Sequence, residues 1–300
     1  MLNLFTDVKH LLSKIETIDI IKKIENYRKL DFKKISDEEL FKEILKIISV
    51  KINGVEKSYL FPRFATYPAN TRFYRVRTVQ AEDHYIPLKA MTFEQDAWNP
   101  PVEYITRRGR LNKVNESLLY TSPMSPSVAI EEIKIKDGER FCLIVYESKS
   151  EIKVSLIGQW EDIPELTSEE NLKMRIVSNF LNDEFTRDVG EGTEHLYRAS
   201  ERIAKDYFDL PPRLMQDAWC YPSIAVKKSV NVCFRPEIAK DLLELKGVQI
   251  CTVKREEDNY LFNCNAIASG FDDNKFKYYT IDNPICQEIF PEIQMNKNVS

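Results

Sequence analysis

The sequence predicts an α+β fold preceded by a helical region. Three observations support this prediction. Apolar residues recur at helical spacing over the first fifty positions, short β-rich runs begin after residue 60, and further helical patterns lie between the later runs. Strands and helices alternate irregularly, without a repeated β-α-β pattern, which favours α+β over a doubly wound parallel sheet.

The N-terminal residues have the strongest helical signals. Ile20, Ile24 and Tyr27 fall on one side of a predicted helix. A later helix has a defined start, because Ser36 is a typical capping residue and Glu39 stands at the capping-box position three residues on. We therefore expect helices throughout this first stretch.

The remaining chain mixes both element types. Strand candidates are residues 73–79, 118–120, 141–146, 152–157, 230–234 and 248–253. Helix candidates are residues 169–181, 194–208 and 237–245. The resulting organisation is an N-terminal helical region at 1–55, a mixed domain at 60–260 and a C-terminal extension at 261–300.

Composition narrows the functional class. A net charge of −4 provides no basic field for nucleic acid, and the arginines at 107, 108 and 110 form only a short cluster. No apolar run has the length needed to cross a bilayer, and the first helix is too charged for a secretion signal, so we expect a cytoplasmic protein without membrane contact. The six cysteines show no metal-binding spacing and are predicted to be reduced core residues.

Several common catalytic motifs are absent from the sequence. Eight glycines in 300 residues form no phosphate-binding loop, since Gly190 and Gly192 are followed by His195 where a third glycine would stand. The chain contains no H-E-x-x-H or G-x-S-x-G sequence and only three histidines. Rossmann, P-loop, zinc-protease and histidine-dependent hydrolase mechanisms are thereby disfavoured, and no metal site is predicted.

Two segments, residues 96–133 and 217–236, carry an ordered motif. Its elements are a Gly-Arg-apolar-Asn stretch, a strand ending in tyrosine, Ala-x-x-Glu on a helix, and a distant Pro-Ser followed by asparagine. The matching residues are Gly109, Arg110, Leu111, Asn112, Leu119, Tyr120, Ala129, Glu132, Pro222, Ser223 and Asn231. In this order they resemble the RES family, which is named for an arginine, a glutamate and a serine. The resemblance spans roughly residues 70–255 and leaves out the N-terminal helices.

The resemblance implies a fold and an activity. The expected domain is ADP-ribosyltransferase-like, a mixed β core with flanking helices. The expected enzyme is a NAD⁺ glycohydrolase or phosphorylase that acts as a toxin in a toxin–antitoxin system, with an antitoxin protein as partner. NAD⁺ is then a substrate, phosphate is a candidate co-substrate, and no cofactor is permanently bound.

The residue types suit this chemistry. Cleavage of the nicotinamide–ribose bond expels a neutral leaving group through an oxocarbenium-like state, so it needs no histidine acid. A carboxylate near the ribose, Glu132, would stabilise the developing positive charge. Arg110 would hold the diphosphate, and Tyr120 would stack on the nicotinamide. Ser223 and Asn231 would position the ribose or the amide.

Some alternatives stay open. Glu131 is the fallback for the catalytic carboxylate, and Arg75, on a predicted strand, is a further candidate for NAD⁺ binding. An ADP-ribosyltransferase that modifies a protein or small molecule would use the same site. A non-catalytic module that binds NAD⁺ or a partner is the alternative from another class. The N-terminal helices would cover the pocket, mediate oligomerisation or bind the antitoxin.

Overall fold

The computed structural model describes residues 2–79, 89–211, 214–256 and 259–293. Helices described in these ranges are α1 (Leu2–Leu12), α2 (Thr17–Arg28), α3 (Asp37–Ile48), α4 (Pro126–Glu132), α5 (Ser168–Thr186), α6 (Tyr197–Tyr207), α7 (Pro236–Leu242) and α8 (Pro284–Ile289). Strands described there are β1 (Ser49–Ile52), β2 (Val55–Ser58), β3 (Arg63–Tyr67), β4 (Arg72–Thr78), β5 (Leu119–Pro123), β6 (Arg140–Ser148), β7 (Ile152–Leu156), β8 (Ala218–Pro222), β9 (Val230–Phe234), β10 (Leu243–Glu256), β11 (Asn259–Asp272) and β12 (Lys275–Thr280). The predicted α+β class is confirmed.

The chain forms two compact units, each built from separate stretches. The first unit comprises Met1–Ala65, Val102–Glu116 and Lys153–Ile224. The second comprises Thr66–Pro101, Ser117–Ile152 and Ala225–Ser300. The N-terminal helices thus share a unit with later parts of the chain. The predicted division at residues 60 and 260 stays a prediction.

In the first unit, helices α1 to α3 pack on α5 and α6. The buried Tyr27 hydroxyl donates a 3.0 Å hydrogen bond to Glu184 on α5. The buried ammonium of Lys173, also on α5, donates to the carbonyl of Leu12 at the end of α1. Arg198 on α6 binds the Asp37 carboxylate at the start of α3. The N-terminal helices therefore form part of this unit's core.

The capping box predicted for the third helix is confirmed. The backbone nitrogen of Glu39 donates to the Ser36 hydroxyl, and the Ser36 nitrogen donates to the Glu39 carboxylate. The prediction of helix up to residue 55 is wrong beyond Ile48, because β1 and β2 form a hairpin there. Asn53 and Gly54 adopt φ angles of 51° and 82° at its turn. An Asn-Gly pair between β-branched residues is a strong hairpin signal.

The second unit contains an antiparallel sheet in the order β12-β11-β10-β6-β4-β5-β9. The predicted helix at 237–245 ends at Leu242, because Leu243 already pairs with Ser148 of β6. Strands β11 and β12 lie largely within the predicted C-terminal extension and extend this sheet from β10. Residues 294–300 of that extension lie outside the described residues.

One face of this sheet carries α4 and α8. Tyr74 and Val76 of β4 share a buried cluster with Ile130 of α4 and Phe290 next to α8. The opposite face carries Phe73, whose ring packs edge-on against Phe234 at 5.4 Å between centroids. Side chains alternate between the faces along each strand, so the position of a residue in its strand determines the face it lies on.

None of the helices in the described ranges has the length and apolar character required to span a bilayer. The cysteines carry no disulfide, and five of them are buried as predicted: Cys142, Cys220, Cys233, Cys251 and Cys286. Cys264 is partly exposed.

Candidate active site

Helix α4 is short because of its end residues. Pro126 occupies its first turn, where the missing proline N–H costs nothing. Lys134 has a φ angle of +52° just after the helix, which stops its continuation. Ala129 is buried, and Glu132 follows it by three positions, so both lie on the same side of the helix. The helix therefore directs its last carboxylate toward the sheet.

Glu132 contacts Asn231 directly. The Asn231 amide nitrogen, on β9, donates a 2.7 Å hydrogen bond to the Glu132 carboxylate. A carboxylate only accepts hydrogen bonds, so this contact fixes which end of the amide faces it. Glu131 and Glu132 are both partly exposed, and the carboxylate that accepts from Asn231 is that of Glu132. Of the two adjacent glutamates, Glu132 is therefore the one that contacts the Asn231 amide.

Ser122 completes a chain of three polar side chains. Its hydroxyl donates a 2.8 Å hydrogen bond to the Asn231 amide oxygen. Ser122 is 2% exposed and Asn231 is 6% exposed, so both ends of the amide are held in a buried setting. The arrangement Ser122–Asn231–Glu132 orients the carboxylate through the amide. We call these three residues the polar chain.

Tyr120 lies on the same face of the sheet as the polar chain. It is two residues before Ser122 on β5, so their side chains point to the same side. Tyr74 pairs with Ser122 and belongs to the cluster that packs against α4, which identifies that side as the α4 face. Tyr120 is partly exposed there. The structure thus brings Tyr120, Glu132 and Asn231 to one face.

Arg75 lies on the opposite face of β4. It stands between Tyr74 and Val76, which both face α4, so alternation directs Arg75 away from Glu132. Its guanidinium donates a 2.7 Å hydrogen bond to the carbonyl of Trp98, and burial lowers its pKa. Trp98 is 4% exposed and Trp219 is 1% exposed, so both tryptophans are core residues.

Arg110 belongs to the first unit. Its guanidinium donates to the carbonyl of Phe185, in the last turn of α5, and lies 5.2 Å from the centre of the Tyr197 ring. Its own carbonyl accepts a 2.8 Å hydrogen bond from Ser200. A cation at a helix C-terminus is favourable, because the carbonyls there lack partners within the helix. These contacts fix the position of Arg110 within its unit.

Ser223 also belongs to the first unit and follows β8 directly. It is 6% exposed. Two residues earlier, the Tyr221 ring packs against Phe185 at 5.7 Å between centroids. Phe185 is the residue whose carbonyl holds Arg110, so Arg110 and the end of β8 are linked through it. The six predicted residues thus divide between the two units.

Acidic partners surround the basic cluster near Arg110. Arg107 pairs with Glu191 and Glu194, and Arg108 pairs with Glu201 at 3.3 Å. Burial raises the pKa of Glu201 despite the nearby cations. The charges of this cluster are therefore compensated within the first unit.

Sequence reasoning missed Ser122. The signal that identifies it is strand alternation, since it stands two positions after Tyr120 and so shares its face. Within the described residues, no group of three or more His, Cys, Asp or Glu side chains is arranged to hold a metal. Two grooves described on the first unit, one between α2 and α5 and one beside the start of α5, include none of the predicted site residues.

Comparison with models of known protein families finds no match to this chain. Comparison with curated proteins finds no similar sequence either. The hypothesis of a RES-like protein therefore depends on the motif residues and on where the fold places them.

Proposed function

We propose that this protein is an enzyme that cleaves the bond between nicotinamide and ribose in NAD⁺. The observation that carries the proposal is the polar chain: a glutamate, an asparagine and a serine joined by hydrogen bonds beside Tyr120. Glu132, Asn231 and Tyr120 come from three motif elements that are distant in the sequence. Their meeting on one face of a sheet is what a shared site requires.

Glu132 acts on the ribose in this proposal. A carboxylate accepts up to about four hydrogen bonds, so the bond from Asn231 orients it for a further donor such as a ribose hydroxyl. Its negative charge lowers the energy of the transition state as positive charge builds at the anomeric carbon. Neutral nicotinamide then leaves without a proton donor.

Asn231 and Ser122 position Glu132 and do not react. Holding a catalytic group in its productive orientation before the substrate binds removes part of the barrier. Tyr120 provides a flat ring for stacking on nicotinamide. The motif residues Arg110 and Ser223 belong to the first unit, and their proposed roles, in holding the diphosphate and in positioning the substrate, depend on the motif alone. NAD⁺ is the substrate, and no permanently bound cofactor is needed.

Water and phosphate are the acceptors we propose, which gives a glycohydrolase or a phosphorylase. The acceptor is determined by surfaces around the ribose and not by the groups that break the bond. A protein or small-molecule acceptor would make the same site an ADP-ribosyltransferase. Depletion of NAD⁺ would make the enzyme a toxin, restrained by an antitoxin protein.

The test is release of nicotinamide from NAD⁺ by the purified full chain, with and without inorganic phosphate. We expect ADP-ribose as the second product if water is the acceptor, and ADP-ribose 1-phosphate if phosphate is. The Glu132→Ala variant should lose at least about 100-fold in rate, the range found when one electrostatic transition-state contact is removed. Equal release by Glu132→Ala and wild type would overturn the proposal.

A further inference from the structure

Two cysteines face each other on neighbouring strands of the second unit. Cys251 of β10 and Cys264 of β11 are register partners in an antiparallel pair. Directly opposed residues in such a pair have Cα atoms roughly 4.5 to 5.5 Å apart, which lies inside the range that a disulfide spans. The pairing therefore sets the two cysteines opposite each other, next to an irregularity of the ladder between Ile250 and Cys251.

The two sulfurs also contact each other. The Cys251 thiol donates a hydrogen bond to the Cys264 sulfur, which lowers the pKa of Cys264. Burial raises the pKa of Cys251. A thiolate is the reactive form of cysteine, so Cys264 is the more reactive member of the pair.

Solvent exposure also makes Cys264 the more reactive of the two cysteines. Cys251 is fully buried, whereas Cys264 is partly exposed. The described pairing of β12 with β11 begins at Ala266, two residues beyond Cys264. An oxidant in solution therefore reaches Cys264 first, and Cys251 is its buried partner on the neighbouring strand.

We infer that Cys264 and Cys251 form a reversible oxidation site, in which the Cys264 sulfur attacks peroxide and Cys251 resolves the product as a disulfide. The Cys264 sulfur takes one oxygen from hydrogen peroxide, which gives a sulfenic acid and one water. The Cys251 sulfur then displaces the hydroxyl, forms the S–S bond and releases a second water. Two thiols lose two electrons and two protons in total, and one peroxide is reduced to two waters.

A third cysteine provides a matched control. Burial and the nearby Cys264 raise the pKa of Cys286, whose thiol donates a 3.1 Å hydrogen bond to the Thr280 carbonyl. It is not a register partner of Cys264. The paired strands thus favour Cys251 over Cys286 as the resolving cysteine.

The experiment treats the full chain with hydrogen peroxide, blocks remaining thiols by alkylation, and maps peptides without reduction. We expect a Cys251–Cys264 cross-link, loss of two free thiols, and recovery of both with dithiothreitol. Cys286→Ser should retain the cross-link, and Cys264→Ser should abolish it. In Cys251→Ser, Cys264 should accumulate as a sulfenic acid that dimedone traps.

The peptide map of the peroxide-treated wild-type chain is enough to test the inference. The test therefore does not depend on whether any variant folds. A cross-link from Cys264 to Cys286 would overturn it. So would an unmodified Cys264 at a peroxide concentration that oxidises free glutathione in the same tube. Neither result affects the proposed NAD⁺ cleavage, because the thiol pair uses no residue of the polar chain.

Discussion

Ser122 is the residue whose role follows most directly from the geometry. Its hydroxyl holds the oxygen end of the Asn231 amide and thereby directs the nitrogen end to Glu132. Ser122→Ala leaves a buried amide oxygen short of one donor, which should lower the free energy of unfolding by about 1 to 3 kcal/mol. The rate of nicotinamide release should fall by up to about 100-fold, because the carboxylate is no longer held in place.

Ser122→Thr is the matched control, since it keeps the hydroxyl in a strand that tolerates β-branched residues. It should restore most of the rate that alanine removes. Chemical denaturation and steady-state kinetics on both variants separate stability from positioning. Equal kcat for the alanine and threonine variants would show that the hydroxyl has only a structural role.

Part of the site was predictable from the sequence, and part was not. The motif indicated Glu132, Tyr120 and Asn231, which the second unit brings to one face. Nothing in the sequence gave the face of Arg75, because that depends on strand alternation relative to α4. Ser122 was missed because its partner Asn231 is 109 residues away.

The packing of α2 on α5 contains a buried acid. Glu184 accepts a hydrogen bond from Tyr27 and is paired with Arg187. Burial raises the pKa of Glu184 from its ordinary value of 4.5 to about 6. The folded chain therefore holds this proton more tightly than the unfolded chain. The resulting stability is fully present below pH 4.5 and is lost as the pH rises through about 6.

The predicted loss is about 2 kcal/mol in the free energy of unfolding across this interval. Glu184→Gln should remove the dependence, because glutamine has no proton to lose. Asp162→Asn is the control, since Asp162 forms an exposed ion pair with Arg175, nine residues before Glu184 on the same helix. Denaturation curves recorded from pH 4 to pH 7 give the free energy of unfolding as a function of pH. A wild-type stability that does not fall over this range would refute the assignment.

Some helices and strands could be predicted from their local sequence alone, and others could not. Strands with continuous β-branched and aromatic runs, such as β4 and β6, were predicted, and so was most of α5. The predicted start of strand β10 lies too far along the chain, because the apolar spacing of residues 237–245 is typical of a helix whereas Leu243 and the residues after it pair with β6. Long-range pairing overrides local propensity at such junctions.

For the chain as a whole, the N-terminal helices belong to the packed core of the first unit. They pack on α5 and α6, with the Tyr27 and Phe180 rings 5.0 Å apart and the buried Lys173 held by Leu12. Removal of residues 1–58 would expose this apolar surface and take the Leu12 carbonyl from Lys173 and the Tyr27 hydroxyl from Glu184. We expect the truncated chain to aggregate or to lose its cooperative thermal transition.

The effect of the truncation can be measured by comparing the truncated and full chains. The measurements are soluble yield, size-exclusion chromatography and thermal unfolding. A truncated protein with an unchanged melting temperature would mean that the helices form an independent appendage. That outcome would support the alternative that they cover the pocket, mediate oligomerisation or bind an antitoxin.

We propose Glu132 as the carboxylate of an NAD⁺-cleaving site. The neighbouring Glu131 provides a test within one turn of the same helix, because Glu132 alone of the two is joined to Asn231 by a described hydrogen bond. The measurement is the initial rate of nicotinamide release by wild type, Glu132→Gln and Glu131→Gln, with NAD⁺ affinity measured on each by calorimetry. We predict that Glu132→Gln binds NAD⁺ and loses at least about 100-fold in rate, while Glu131→Gln keeps near wild-type activity. Loss of activity in Glu131→Gln alone, or NAD⁺ binding without release by wild type, would contradict the claim.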